Sequence, residues 1–227
     1  MAGWNGHDRL QAVPLFPLPN VVLFPRAVLP LHIFEERYLA MTADALRSDR
    51  LIAMALLKAG WERDYYSTPA IEQVVCVGHV VTHEQLPDGK YNLLLQGVAR
   101  ARIVRETKNP DRMYRTAEIE PLVESAVLEI DLTNQRHKLM EIFSGRFRNL
   151  TGLVRQFRQM LSSPLPTADI ADLVAFNLLE DVNLKQSLLE ETHVVRRVNR
   201  LIAALEKLEL VKPPISAPVG SENPSMN

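Results

Sequence analysis

The chain has a single cysteine, Cys76, in 227 residues. One thiol cannot close an intramolecular disulfide or supply a multi-cysteine zinc site. Its setting, Val74-Val75-Cys76-Val77, is that of a small buried hydrophobe, and a reducing compartment suits it. Charge of one sign is lacking too. The 26 basic residues face 27 acidic ones, a net of -1, so the composition does not provide a surface built to grip a nucleic-acid backbone. No run approaches the roughly 20 apolar residues of a membrane helix. The longest, Val21 to Phe34, is cut by Pro25, Arg26 and Pro30. The first ten residues carry Trp4, Asn5, His7, Asp8 and Arg9 where a signal peptide would be apolar. A soluble, cytoplasmic protein without a membrane partner is expected.

The glycines exclude more. They stand at 3, 6, 60, 78, 89, 97, 145, 152 and 220. None opens the GxxxxGK pattern, followed by Ser or Thr, that cradles nucleotide phosphates. The one Gly-Lys pair, Gly89-Lys90, runs on into Tyr91. No GxSxG nucleophile elbow occurs; Ser144-Gly145 falls inside an amphipathic helical pattern and reads as the surface of a helix.

What is present divides into two halves. From Leu10 to Leu122 the chain reads as extended. Prolines 14, 17, 19, 25 and 30 forbid an opening helix, and β-favouring runs, Val13 to Phe16 and Val21 to Phe24, lie between them. Phe34 to Asp49 is free of proline and glycine, and Phe34, Tyr38, Met41 and Ala45 recur at helical spacing. Leu51 to Leu57 is an apolar run of the kind that forms a buried strand. Ile71 to Leu86 and Tyr91 to Arg105 flank Pro87-Asp88-Gly89-Lys90, a hairpin turn in which Gly89 supplies a positive φ. Gly97 marks a bulge in the second arm. Tyr114 to Leu122 adds a strand.

The second half is helical. Leu139, Phe143, Leu150, Val154, Phe157 and Leu161 mark one helix that Gly145 and Gly152 bend or split. Thr167 is the expected N-cap of a helix over 168–179, and Thr192 that of the last helix. A short helix over Leu184 to Glu190 precedes the latter, whose stripe is Val194, Val198, Leu201, Leu205 and Leu208. Residues 1–9 read as a flexible N-terminus. Four prolines, 213, 214, 218 and 224, mark 213–227 as a disordered tail.

No catalytic, metal or cofactor constellation emerges. His79 and His83 lie on an expected strand, where four residues span about 13 Å, too far for two ligands of one zinc. His32 reads as a packed structural residue. Glu35, Glu36 and Arg37 read as a helix start with dipole-favoured acids and a local ion pair. Arg100, Arg102 and Arg105 form a basic stripe that reads as the solvated face of a sheet.

The segment Pro14 to Tyr38, PLFPLPNVVLFPRAVLPLHIFEERY, resembles the signature of the Lon protease N-terminal substrate-binding domain family. Three further stretches extend the resemblance in order. They are Asp88-Gly89-Lys90-Tyr91-Asn92 with Gln96-Gly97-Val98-Ala99-Arg100, Tyr114-Arg115 leading to Glu120-Pro121-Leu122, and Ala171-Asp172-Leu173-Val174 with Lys185 to Glu190. The resemblance covers Leu10 to Leu210 and implies an α+β fold. A PUA-like β pseudo-barrel (10–122) would be followed by a C-terminal helical bundle (123–212). The family's ATPase and Ser-Lys protease domains are not matched, so no enzyme is implied. Where the family usually has glycine this chain has Arg26, which carries strain if that turn needs a positive φ; where it often has proline stands Glu36.

The resemblance implies a non-catalytic module that recognises unfolded or apolar polypeptide segments, with a separate Lon-type protease as a further partner and a monomer or weak dimer as its state. The expected contacts are Arg26 in the Pro25-Arg26-Ala27 loop, Trp61, Tyr65 and Tyr66, aromatic residues being frequent interface anchors, and the cleft between barrel and bundle. The alternative, an RNA-binding PUA-like module, rests on fold analogy, and the balanced charge argues against it.

Overall fold

The computed structural model describes residues 8–64, 67–107, 109–145 and 151–208. The expected flexible N-terminus before residue 8, Tyr65, Tyr66 and the expected tail lie outside them. Six strands come first: β1 (Leu10–Leu18), β2 (Val28–Ile33), β3 (Leu51–Leu56), β4 (Val74–Gln85), β5 (Tyr91–Thr107) and β6 (Thr116–Pro121), with helix α1 (Glu36–Arg47) between β2 and β3. Five helices follow: α2 (Thr133–Ser144), α3 (Thr151–Leu161), α4 (Thr167–Leu178), α5 (Val182–Glu190) and α6 (Val194–Lys207).

The strands are ordered β2-β5-β4-β3-β1-β6, and β5 pairs with β6 as well. The pairing therefore runs β5-β4-β3-β1-β6 and back to β5, a closed five-strand circuit with β2 added as an arm. One long strand makes this possible. Residues Tyr91 to Gln96 of β5 pair with β2, and Ala101 to Thr107 pair with β6. The β4–β5 register slips between Val77↔Ala99 and Gly78↔Gly97, leaving Val98 opposite nothing. This is the bulge expected at Gly97, and a bulge bends its strand. The hairpin turn is as expected, with Gly89 at φ 83.

Two cores explain the apolar pattern. Inside the circuit lie Val13, Leu15, Ala53, Ala55, Val75, Val77, Ala101, Ile103, Ala117 and Ile119. Outside it, the helices cover Ile52, Met54, Leu56 and Cys76. Strand β3 is thus buried on both faces, which is why its six residues are all apolar. The burial of α6 follows its stripe: Val194, Val198, Leu201 and Leu205 all face inward.

Several local expectations are corrected. Val21 to Phe24 form no strand, although Val22, Leu23 and Phe24 are buried. The chain there crosses β5 at a bulge, as the site below shows. Helix α1 starts at Glu36, leaving Phe34 outside it and 61% exposed. The long helix is split, as expected, at Gly145, which caps α2 after Ser144; only Gly152 differs, lying inside α3. Thr167 does not cap α4. It sits in the first turn, and Glu129 accepts both its N–H and its hydroxyl at 2.8 Å. Nor does Thr192 cap α6; the Val194 N–H donates to Ser125 Oγ at 3.1 Å. The acceptors come from the linker after β6, which threads beneath both helix starts.

Candidate functional site

Between the closed circuit and the helices runs a groove of about 640 Å³. Its walls come from Pro25 and Arg26, from the bulged part of β5 (Gln96 to Arg100), from Pro121 to Glu124, and from Asp169 and Asp172 of α4. It is the cleft that the sequence put forward as a contact surface.

The turn at Pro25-Arg26 is held on Gly97. The Arg26 N–H donates to the Gly97 carbonyl at 2.8 Å, and the Gly97 N–H donates to the Ala27 carbonyl at 2.8 Å. A Cβ at position 97 would stand 2.0 Å from the Phe24 carbonyl oxygen. Only glycine lets the two backbones meet, and this contact turns Val21 to Phe24 away from strand pairing. Arg26 has φ 65, so it occupies the left-handed region expected of the family's glycine. Its Nε lies 2.5 Å from Asp169 Oδ2.

The floor is a buried charge cluster. Arg100 Nη2 meets Asp172 Oδ1 at 2.6 Å, and Nη1 meets Glu124 Oε1 at 2.7 Å. Its Nε donates to the Leu189 carbonyl at 3.0 Å. Arg197 meets the same two acids, Glu124 Oε1 at 3.0 Å and Asp172 Oδ1 at 3.2 Å. Both arginine side chains are 2% exposed. Burial by itself would lower the Arg100 pKa, but Asp172 and Glu124 outweigh it and hold it above the ordinary value. Such a cluster fixes one arrangement of strand and helices more than it adds stability, because desolvation offsets much of the attraction. Asp169 stands apart. Burial, then the neighbouring Asp172 charge, push its pKa up against the pull of Arg26.

The basic stripe read from Arg100, Arg102 and Arg105 is therefore corrected. All three lie on β5, but Arg100 is buried against α4 and α5 while Arg102 and Arg105 are exposed. His32 is corrected as well: it is exposed, with Nδ1 2.8 Å from Asn92 Oδ1 and its ring stacked on Phe34. Glu35 and Arg37 form the local pair expected of them, at 2.9 Å.

Of the two expected contact residues that are described, Arg26 and Trp61, the structure brings Arg26 into the groove. Trp61 opens a short 3-10 turn, Trp61–Arg63, and lies half-buried against the core inside the circuit. Tyr65 and Tyr66 are outside the described residues. His79 and His83 lie on β4, and among the described residues no group of three His, Cys, Asp or Glu could hold a metal. The Cys76 thiol is buried beneath the groove, and burial raises its pKa well above the ordinary thiol range. No helix of the described residues is long and apolar enough to cross a membrane. Sequence reasoning passed over Glu124, Asp169, Asp172 and Arg197. A signal was present for Asp172, which interrupts the apolar run Ile170 to Phe176, as a buried, paired charge would.

Comparisons with known proteins fit this architecture. Residues 12–207 match the model of the ATP-dependent protease La (LON) substrate-binding domain. Lon protease of Dictyoglomus thermophilum is 27% identical over 212 residues, which are 89% of this chain and 26% of that protein. Lon protease of Trichlorobacter lovleyi is 29% identical over 196 residues, 84% of this chain and 23% of its own length. The chain thus spans about a quarter of the Lon proteases it matches. In fold it is similar to the N-terminal domain of Mycobacterium avium complex Lon protease (TM-score 0.67, 15% identity, 87% of this chain and 99% of that one). It is also similar to a Lon N-terminal domain protein from Xanthomonas campestris (TM-score 0.59, 23% identity, 86% and 98%). Arg100 and Asp172, partners at 2.6 Å, each lie in a stretch that carried the resemblance, and the chain belongs to the Lon substrate-binding domain family.

Proposed function

We propose that this chain is a non-catalytic polypeptide-recognition module that takes extended, partly apolar segments of unfolded proteins in the groove between its strands and its helices. The observation that carries this reading is the match of residues 12–207 to a substrate-binding domain, joined to a groove whose walls mix apolar residues with charge. Pro25, Val98, Ala99, Pro121, Leu122 and Val123 provide the apolar part. Val123 is 85% exposed. Arg100 and Arg197 on the floor are ion-paired with Asp172 and Glu124, and such a fixed charged floor suits binding.

In this reading 10–122 is a PUA-like pseudo-barrel, supported by the closed strand circuit, and 123–212 is the helical subdomain that completes the groove. Trp61, Tyr65 and Tyr66 form a second contact region for the same client. The module would work in the cytoplasm, as a monomer or weak dimer, and hand clients to a separate Lon-type protease.

The test is fluorescence anisotropy with a labelled, reduced and carboxymethylated unfolded protein. Val123→Asp is expected to weaken capture about tenfold while altering stability by no more than about 0.5 kcal/mol, as for other exposed sites. The bound polypeptide is expected back uncut. Equal capture by Val123→Asp and the parent chain would remove the groove from the reading.

A further inference from the structure

We propose that the groove is a receptor for one basic side chain, the guanidinium or ammonium of an arginine or lysine in the captured polypeptide, and that Arg26 holds that place in the unbound chain. The inference rests on the polypeptide-binding reading and specifies what the groove selects.

Charge accounting leads to it. Arg100 and Arg197 are matched by Asp172 and Glu124. Asp169 is one carboxylate more, and Arg26 is the cation that meets it among the described ion pairs. Without Arg26 the groove carries one uncompensated negative charge beside two other acids. The pair itself is a poor seal. The Arg26 side chain is 61% exposed and that of Asp169 21%. Although Nε lies at ion-pair distance, the buried Asp169 Oδ2, like Glu124 Oε1 and Arg197 Nε and Nη2 on the floor, has no hydrogen-bond partner in proper geometry; what sets Asp169 apart is the exposure of its one cation. A pair whose cation is this exposed is easily exchanged for another, and a guanidinium approaching along the groove could make the aligned, bidentate contact that Arg26 does not.

Two features fit the same occupant. The apolar wall of Val98, Ala99 and Leu122 suits the methylene stem of a long basic side chain. Burial, with Asp172 and Glu124 nearby, raises the Asp169 pKa, so a second cation at close range relieves the carboxylate. The Arg26 backbone also sits at φ 65, where glycine would rest without strain. The chain keeps a side chain there in spite of that, and the side chain ends on Asp169.

The test uses the full chain and a fluorescein-labelled nonapeptide of serine and valine with one central arginine. A second peptide carries citrulline, which has nearly the same shape and no charge. Arg26→Gln keeps the turn and removes the competitor; Arg26→Gly removes both side chain and strain. Both variants are expected to bind the arginine peptide about tenfold more tightly than the parent, which is 1.4 kcal/mol. Asp169→Asn in either background is expected to abolish the gain, and citrulline to bind about tenfold more weakly. If neither Arg26 variant binds more tightly, or if the two peptides bind alike, the inference is overturned. The polypeptide-binding reading survives that outcome where Val123→Asp still weakens both peptides. It falls as well where Val123→Asp has no effect or nothing binds.

Discussion

Arg100→Met gives the sharpest view of what holds the groove in shape. Methionine keeps the length and the apolar stem of the side chain but removes its charge. The cluster then changes from two cations and two anions to Arg197 alone against Asp172 and Glu124. Asp172 loses its 2.6 Å partner and keeps one at 3.2 Å, and the Leu189 carbonyl loses its donor. Removing one partner of a buried pair costs about 3–5 kcal/mol. For a domain of ordinary stability, about 5–15 kcal/mol, that is a large share. Adding Asp172→Leu restores the balance by leaving Arg197 with Glu124. The double variant should then be more stable than the sum of the single losses by about 2 kcal/mol, within the range of directly contacting pairs. Urea unfolding of the four proteins at pH 7 supplies the cycle. A loss below about 1 kcal/mol for Arg100→Met, which is the scale of an exposed pair, or strictly additive losses would refute the argument that the charges act as one buried unit.

Other outcomes follow from the same geometry. Gly97→Ala drives a Cβ to 2.0 Å from the Phe24 carbonyl and should cost at least about 2 kcal/mol, whereas Gly89→Ala meets nothing within 4 Å and should cost only the left-handed penalty of about 1–2 kcal/mol; denaturant midpoints compare the two. Asp169→Asn should leave stability unchanged or raise it by up to about 1 kcal/mol at pH 7. A carboxyl whose folded pKa is raised contributes stability below its unfolded pKa and loses it as pH rises through the folded value, so the advantage of asparagine should close in thermal melts taken below the ordinary carboxylate range. Cys76 should resist alkylation in the native chain at pH 8 and react on unfolding, because its thiol is buried and its pKa raised.

How far these features could be read from sequence depends on the distance over which each is decided. The β4–β5 turn was legible because Gly89 alone meets the local demand for a positive φ. Strand β3 was legible because burial on both faces leaves only apolar letters. Val21 to Phe24 has the same letters, but its fate is set by a backbone contact with Gly97, far along the chain. The helix caps show the same limit. Thr167 and Thr192 were the nearest candidates, yet Glu129 and Ser125 supply the acceptors from the linker. Arg100 and Arg102 share a strand face and differ only in whether helices cover them, which no local pattern records. At the site, Arg26 was legible through its departure from glycine in a family signature, and its φ of 65 shows why that position mattered. Asp169 was not, since an acid in the first turn of a helix is ordinary.

Hydrogen–deuterium exchange of the chain with and without a saturating unfolded polypeptide tests the central claim most directly. The account predicts slowed exchange in three stretches that meet only in the folded chain: the turn at Arg26 and Ala27, the bulge from Gln96 to Arg100, and Val123 to Glu124 with the start of α4. Protection confined to other surfaces, such as the β2 arm, or no protection at all, would contradict it.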